Sequence, residues 1–375
     1  MGKSKICVYA ICKNEEKFVD RWMDSMGEAD LVVVTDTGST DDTVAKLRER
    51  GALVFEAKIS PWRFDVARNV SLENVPQEYD ICVCTDLDEE FEKGWRKKLD
   101  EALKGKKKGF HTQVRYTYNW SLKEDGTPGV QFIYSKIHSR DGYSWRHPVH
   151  EWIEYNGEVG KQDLISATGI VLNHYPDPSK SRGSYLPLLE MAVEEEPGNE
   201  RMVNYLGREY MYYGLHDKCI ETLKKYLKLP TATWNEERGA AMRWIANSYF
   251  KKNNFKQGKA WYFKAIAEAG HMREPFVEFA RDLYHSGLND WSMMHFLIHE
   301  ALKIDKRSQT FTNQDYTWDH TPYDLGSLAA FYLGLHKRAL WFSVKAVEHN
   351  PNDPRLLENR DLIIKTITNE KVGGD

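Results

Sequence analysis

Several large protein classes are excluded by what this chain lacks. It has five cysteines in 375 residues, and four of them, Cys7, Cys12, Cys82 and Cys84, fall in two short apolar runs. Cys82 and Cys84 alternate along a strand instead of bracketing a loop, so buried reduced thiols are expected and a zinc site is not. No apolar run is long enough to cross a bilayer. The start, Met1–Lys5, leads straight into the first apolar run with no secretory leader, and the expectation is a cytoplasmic protein without membrane insertion. After that run, the order Cys12-Lys-Asn-Glu-Glu16 holds no glycine. This counts against a dinucleotide-dependent dehydrogenase and against an enzyme that builds nucleotide-sugars. Fifty-two basic residues against 56 acidic ones give a formal charge of −4. No overall basic field recruits nucleic acid, which leaves only a local groove for such a partner. The short cluster Lys104–Lys108 reads as a solvated turn.

What is present is a series of short apolar runs that stop at acidic or amide side chains. Ile6–Cys12 runs into Asn14 and Glu15, Leu31–Thr35 into Asp36 and Gly38, and Ile81–Thr85 into Asp86, Asp88, Glu89 and Glu90. Buried parallel strands look like this when they deliver polar groups to the carboxyl edge of a sheet, where ligands of open α/β sheets sit. With Leu53–Ala57 and helical stretches near 15–26, 42–50 and 64–75, the first 110 residues predict βαβ units. Asp86 and Asp88 alternate on a strand and so point the same way. As hard oxygen ligands they suit a divalent cation, Mn²⁺ or Mg²⁺, shared with a diphosphate. Phe110–Trp120 and Val130–His138 predict a hairpin added to the sheet, and a further strand, 166–173, ends at His174.

From about Tyr185 the chain reads as helical and repeats. Val203-x-x-Leu206-Gly207-x-x-Tyr210 is echoed by Met242-x-x-Ile245-Ala246-x-x-Tyr249 and by looser copies at Phe279 and Gly326. Twelve residues after each small residue comes another: Cys219, Gly258, Ser292 and Ala339. Small residues at fixed offsets let paired helices approach closely, a pattern similar to tetratricopeptide repeats. The expected division is 1–184 and 185–375.

Five motifs in order carry a family resemblance: Asn14-Glu15 after the first strand; Asp36-Thr-Gly38-Ser-Thr-Asp-Asp-Thr43; Trp62-Arg-Phe64-Asp65-Val-Ala-Arg68-Asn69; Asp86-Leu-Asp88-Glu89; and Val149-His150-Glu151. Together they resemble the GT-A glycosyltransferases of family 2. The helical repeats behind them resemble the branch holding bacteriocin peptide S-glycosyltransferases, with lipopolysaccharide-core transferases sharing much of the pattern. The resemblance implies a GT-A, Rossmann-like mixed sheet with helices on both faces, followed by an all-α tetratricopeptide-like domain. It implies a metal-dependent, inverting transfer from a nucleotide-sugar, a UDP-sugar by family habit. Asn14, Glu15, Asp36, Asp65, Arg68 and Asp86 would then bind the donor, and Asp86, Asp88 and His174 the metal. Glu151 would be the base, oriented by His150.

Each assignment has a plainer counterpart. Asp36 also suits a turn before Gly38, Glu15 a helix start, Arg68 an internal salt bridge, and the Val149–Glu151 segment simple packing. His174 also reads as structural. Glu89 or Glu90 competes with Glu151 as base, and Lys180 and Arg182 read either as a lid on the diphosphate or as linker. The acceptor stays open among a peptide bound partly by the repeats, a glycan, and a hydroxylated base of modified DNA, the last disfavoured by the acidic balance. A homodimer through the repeats and a non-catalytic scaffold with a degenerate transferase domain also remain open.

Overall fold

A computed structural model describes residues 4–178, 183 and 185–372; Lys180 and Arg182 lie outside the described residues. The chain divides into two compact units, Met1–Glu195 and Glu196–Asp375.

The first unit opens with β1 (Ile6–Cys12), α1 (Val19–Met26), β2 (Leu31–Asp36), α2 (Thr43–Glu49), β3 (Leu53–Glu56), α3 (Phe64–Glu73) and β4 (Ile81–Cys84). Every residue of β1 and β4 is buried, which is why these strands read as unbroken apolar runs: helices cover both faces. The alternation along β1 divides its side chains between two cores. Ile6, Val8 and Ala10 join Trp22 and Trp95 on one face, while Cys7 and Tyr9 join Val33, Cys82 and Trp145 on the other. The thiols of Cys7, Cys12, Cys82, Cys84 and Cys219 are all free and buried.

After β4 come β5 (Glu89–Phe91), α4 (Trp95–Leu103), β6 (His111–Asn119), β7 (Gln131–Ser139), β8 (Tyr143–Arg146), β9 (Trp152–Tyr155), β10 (Gln162–His174) and α5 (Tyr185–Glu195). Among the described residues, the main sheet has eight strands in the order β3-β2-β1-β4-β7-β6-β10-β5. Strands β3, β2, β1 and β4 are parallel. The predicted hairpin enters as β7, antiparallel to both β4 and β6. β10 then runs parallel to β6, and β5 closes the edge antiparallel to β10. The two-stranded β8–β9 sheet and the short β5 are absent from the sequence reading. Their apolar residues are too few to show a period.

Helix α5, which the sequence reading assigns to the second domain, groups with the first unit. Tyr185 packs edge-on against Phe64 with ring centroids 6.2 Å apart, and Arg63 Nη1 donates to Glu195 Oε1 at 2.6 Å.

The second unit is helical: α6 (Glu200–Tyr212), α7 (His216–Tyr226), α8 (Asn235–Lys251), α9 (Phe255–Ala269), α10 (Glu274–His285), α11 (Trp291–Ala301), a 3-10 turn (Asp315–Thr317), α12 (Thr321–Tyr332), α13 (His336–His349) and α14 (Pro354–Val372). Successive helices pair as tetratricopeptide-like hairpins, from α6 with α7 through α12 with α13. The small residues do what their spacing predicts. A Cβ on Gly207 would come within 2.3 Å of Leu223 across the first pair, and one on Gly258 within 2.4 Å of Phe250 across the second. Each pair turns on a residue in the left-handed region, Gly214, Gly287 and Gly334 in three pairs and Asn253 in the other, conformations that glycine and asparagine adopt most cheaply.

Candidate active site

Strands β1, β2 and β4 end together, and their polar residues meet at this edge. Asn14 has φ 55°. Its N–H donates to Ser39 Oγ at 2.8 Å and its Oδ1 accepts from Thr40 N–H at 2.8 Å, tying the loop after β1 to the loop after β2. Glu15 is buried, and its N–H donates to Thr43 Oγ1 at 2.7 Å. Asp36 is buried, and Oδ2 accepts N–H bonds from Gly38 and Ser39, each at 2.9 Å. The Ser39 hydroxyl and the Cys12 thiol donate to Oδ1. Asp36 thus holds the turn at Gly38. Asp65, in the first turn of α3, is gripped by Arg63 through Nε and Nη2 at 3.0 and 2.9 Å.

The centre of the edge is a buried charge network. Arg68, 5% exposed, donates from Nη2 to Asp86 Oδ1 at 2.8 Å and from Nε to Glu151 Oε1 at 2.5 Å, and its guanidinium lies over Trp145. Lys136 on β7, 4% exposed, reaches Asp86 Oδ2 and Glu89 Oε1, each at 3.2 Å. Glu89 also accepts from the Tyr118 hydroxyl at 2.7 Å and from Asp86 N–H at 2.9 Å. Burial alone would raise the Asp86 carboxyl, but the Arg68 and Lys136 charges overcome it and hold the group well below the usual carboxylate range. Burial raises Glu89, with Lys136 opposing and the Asp86 charge adding to the rise. Burial would lower Lys136 and Arg68, yet their carboxylate partners keep both firmly charged.

Glu151 arrives on a loop docked to α3. Asn69 clamps Trp145 through paired bonds of 3.0 and 2.8 Å, and Phe64 N–H donates to Pro148 O at 3.0 Å. The Trp62–Asn69 motif is therefore the seat of the Val149–Glu151 motif. His150 has φ 50° and packs edge-on against Tyr185. Of the competing bases, Glu89 is 1% exposed and fully engaged, and Glu90 pairs with Arg21 at 3.1 Å. Glu151 retains partial exposure.

A second group forms beside this network. Tyr175 N–H donates to Asp88 O at 2.8 Å, and β5 and β10 place His174 opposite Glu89. The His174 Nε2 lies 3.6 Å from Asp88 Oδ2, and its Nδ1 is 3.0 Å from Trp120 O. Since a carbonyl only accepts, Nδ1 carries the proton and Nε2 faces the carboxylate with its lone pair or a second proton. Burial would lower His174; the hydrogen bond and charge of Asp88 raise it. A proton on Nε2 satisfies this pair by itself, and with that proton gone a carboxylate oxygen and an imidazole nitrogen are left that could hold a divalent ion. Asp86 is engaged by its own two cations instead. No cluster of three or more His, Cys, Asp or Glu side chains suited to a metal occurs among the described residues. Lys136 was not singled out in the sequence. Its place is set by an irregularity: the register of β7 shifts between Tyr134 and Ile137, where Lys136 meets Asp86 and Glu89.

A mostly parallel sheet with acids and bases gathered at its carboxyl edge defines an α/β enzyme domain built around a ligand at that edge. Residues 7–151, within the first unit, match the model of Glycosyl transferase family 2. A lipopolysaccharide core biosynthesis glycosyltransferase, LpsC of Rhizobium meliloti, is 25% identical over 180 residues, covering 46% of this chain and 64% of the relative; the match thus spans less than two thirds of that relative. Among solved structures, the MamA protein is 18% identical over 45% of this chain and 82% of its own, with TM-score 0.36. Pseudomonas aeruginosa pilF is 15% identical over 45% and 69%, also with TM-score 0.36. No described helix is long and apolar enough to cross a membrane.

Proposed function

We propose that this chain is a metal-dependent inverting glycosyltransferase that takes its sugar from a nucleoside diphosphate sugar. The observation that carries the reading is the Asp88–His174 pair, Nε2 to Oδ2 3.6 Å, beside the buried Arg68–Glu151–Asp86–Lys136 network. Asp88 and His174 would hold Mn²⁺ or Mg²⁺, which when bound supplies positive charge to the departing diphosphate. Asn14 and Glu15, at the joined loops after β1 and β2, border the donor. Glu151 takes the proton of the acceptor hydroxyl or thiol as that atom bonds to the anomeric carbon. The bond from that carbon to the diphosphate oxygen breaks on the opposite face, and this inverts the centre. Arg68 fixes the Glu151 carboxylate toward the site, and His150 completes the loop that carries it. The LpsC likeness favours a glycan acceptor, the helical repeats leave a peptide acceptor open, and the motif resemblance favours a UDP-sugar donor.

Donor hydrolysis tests the reading. Purified protein is offered a panel of nucleotide-sugars with Mn²⁺, Mg²⁺ or chelator, beside Asp88→Ala, while thermal shift is read in the same wells. Cation-dependent release of nucleoside diphosphate from one donor, lost in Asp88→Ala, is expected and names the sugar. If no donor is hydrolysed and none stabilises the protein with metal, the proposal fails in favour of a scaffold.

A further inference from the structure

The connection between α11 and α12 occupies residues 302–320, whereas residues 227–234 and 270–273 suffice at the equivalent places before α8 and α10. Loops run over surfaces because their main-chain groups need water. This one is sunk: Thr310, Thr312 and Thr317 are at most 1% exposed. It lies across the first helices of the three preceding hairpins. The Phe311 ring packs against Tyr205 of α6 and Trp234 at the start of α8, at 5.9 and 5.6 Å. Arg243 of α8 donates to the Thr312 carbonyl at 3.0 Å. Glu274 of α10 accepts from Gln314 N–H and from the Thr317 hydroxyl, each at 3.1 Å. Two buried charged side chains therefore read main-chain groups, which any peptide can present.

The fit is incomplete. Both amide atoms of Asn204 and Nε of Arg208, on the helix face that bears Tyr205, are buried without a hydrogen-bonding partner in the protein. So are Oε2 of Glu274 and, from the connection itself, Oδ1 of Asn313 and Nε1 of Trp318. Asn204 is 0% exposed. Buried polar groups are normally paired, and six of the twelve buried side-chain atoms without a hydrogen-bonding partner among the described residues lie on α6, α10 and this connection. We propose that residues 302–320 are a displaceable strap over a peptide-binding groove formed by α6, α8 and α10. The ligand is a segment of another protein that places an aromatic ring between Tyr205 and Trp234. It offers main chain to Arg243 and Glu274, and amide or hydroxyl groups to Asn204 and Arg208. The strap holds the groove by the same contacts and lowers the apparent affinity by the fraction of molecules in which it is closed.

The test uses a fluorescein-labelled peptide of residues 306–318, titrated into the full-length chain and read by fluorescence polarisation. Phe311→Ala, which removes the strap's ring from its seat, is expected to bind the peptide at least tenfold more tightly than the unaltered chain. Adding Trp234→Ala, which removes one wall of that seat, is expected to abolish the gain. A folded Phe311→Ala protein that binds no more tightly makes the strap a fixed part of the fold and overturns the proposal. A shift of that variant to a dimer on size exclusion hands the groove to a second copy and overturns the assigned partner. Native-state hydrogen exchange of the unaltered chain decides the matter if Phe311→Ala does not fold. Displaceability requires the Gln314 and Thr317 amides to exchange at least a hundredfold faster than those at the centre of α8. Exchange in step with α8 overturns it.

Discussion

In the first unit Arg68 spans Asp86 and Glu151 while Lys136 spans Asp86 and Glu89, so each buried cation answers two carboxylates. In the second unit Arg243 meets Glu278 and one main-chain carbonyl, and the buried amide of Asn204 on α6 has no hydrogen-bonding partner in the protein. Arg68, Lys136 and Glu89 are as buried as Arg243; what differs is how many partners each buried charge has. A saturated network holds one geometry, because moving any member strands another in a low dielectric. That suits the edge at which the proposed base, cation and sugar would have to keep fixed positions. A partly satisfied interface has less to lose by opening, and so is the better place for exchange of one segment for another.

Breaking the saturated side has the largest expected effect. Lys136→Met leaves the buried Glu89 without its cation and the partly exposed Asp86 with Arg68 alone, and should cost about 3–5 kcal/mol of stability, read by urea unfolding of the full chain. Adding Glu89→Gln should recover part of the loss. A loss under about 1 kcal/mol would mean that the network is wet and not saturated.

Glu151→Gln sharpens the comparison from the chemical side. It keeps shape and removes the proton acceptor, so transfer should fall by roughly 10²–10⁴-fold while metal-dependent thermal stabilisation by the donor persists. Transfer at the unaltered rate would move the base elsewhere.

The pH dependence comes from His138, which sits behind the network with Nε2 2.8 Å from the Tyr9 hydroxyl and Nδ1 2.8 Å from Ser139 O. Burial pushes its imidazole down to about 4. An unfolded histidine takes up its proton near pH 6.5, so between that pH and about 4 only the unfolded chain is protonated. This contribution to stability is whole above the unfolded pKa and is lost as pH falls, by about 3 kcal/mol at pH 4. His138→Gln should flatten that part of the stability profile; an unchanged slope would assign it to the carboxylates.

The smallest effect belongs to the helical unit. Gly258→Ala drives a Cβ toward the Phe250 ring and to 3.2 Å from Ala246 O, and should cost about 1–3 kcal/mol by thermal unfolding followed by circular dichroism. A neutral result would show the second hairpin to be looser than its spacing implies.

Much of the fold was legible because it is written in short periods. β1 is found where the apolar run lies, and β2, β3 and β4 begin and end within a residue of theirs; the buried β1, β2 and β4 show as uninterrupted apolar segments, and the edge strand β3 by its short run Leu53–Phe55. The small residues of the repeats announced close approach for the same local reason. Asp88 and His174 were legible as strand-end residues. Asp36 was legible as a residue but ambiguous in role, because a carboxylate before glycine serves a turn as readily as a ligand. Lys136 was not legible. A lysine in an alternating strand reads as solvent-facing until the sheet order turns that face inward.

The sequence by itself determined the α/β alternation, the delivery of acids to the carboxyl edge, and the helical hairpins, all of which depend on neighbours a few residues apart. Tertiary structure alone decided that β7 inserts beside β4 and brings Lys136 to Asp86. It also decided that the loop before β9 seats Glu151 on Arg68, that α5 joins the first unit, and that the 302–320 connection reaches across three helices with Thr310, Thr312 and Thr317 buried. Each of these is a pairing between residues tens of positions apart, and local spacing carries no information about which distant partner compensates a buried charge.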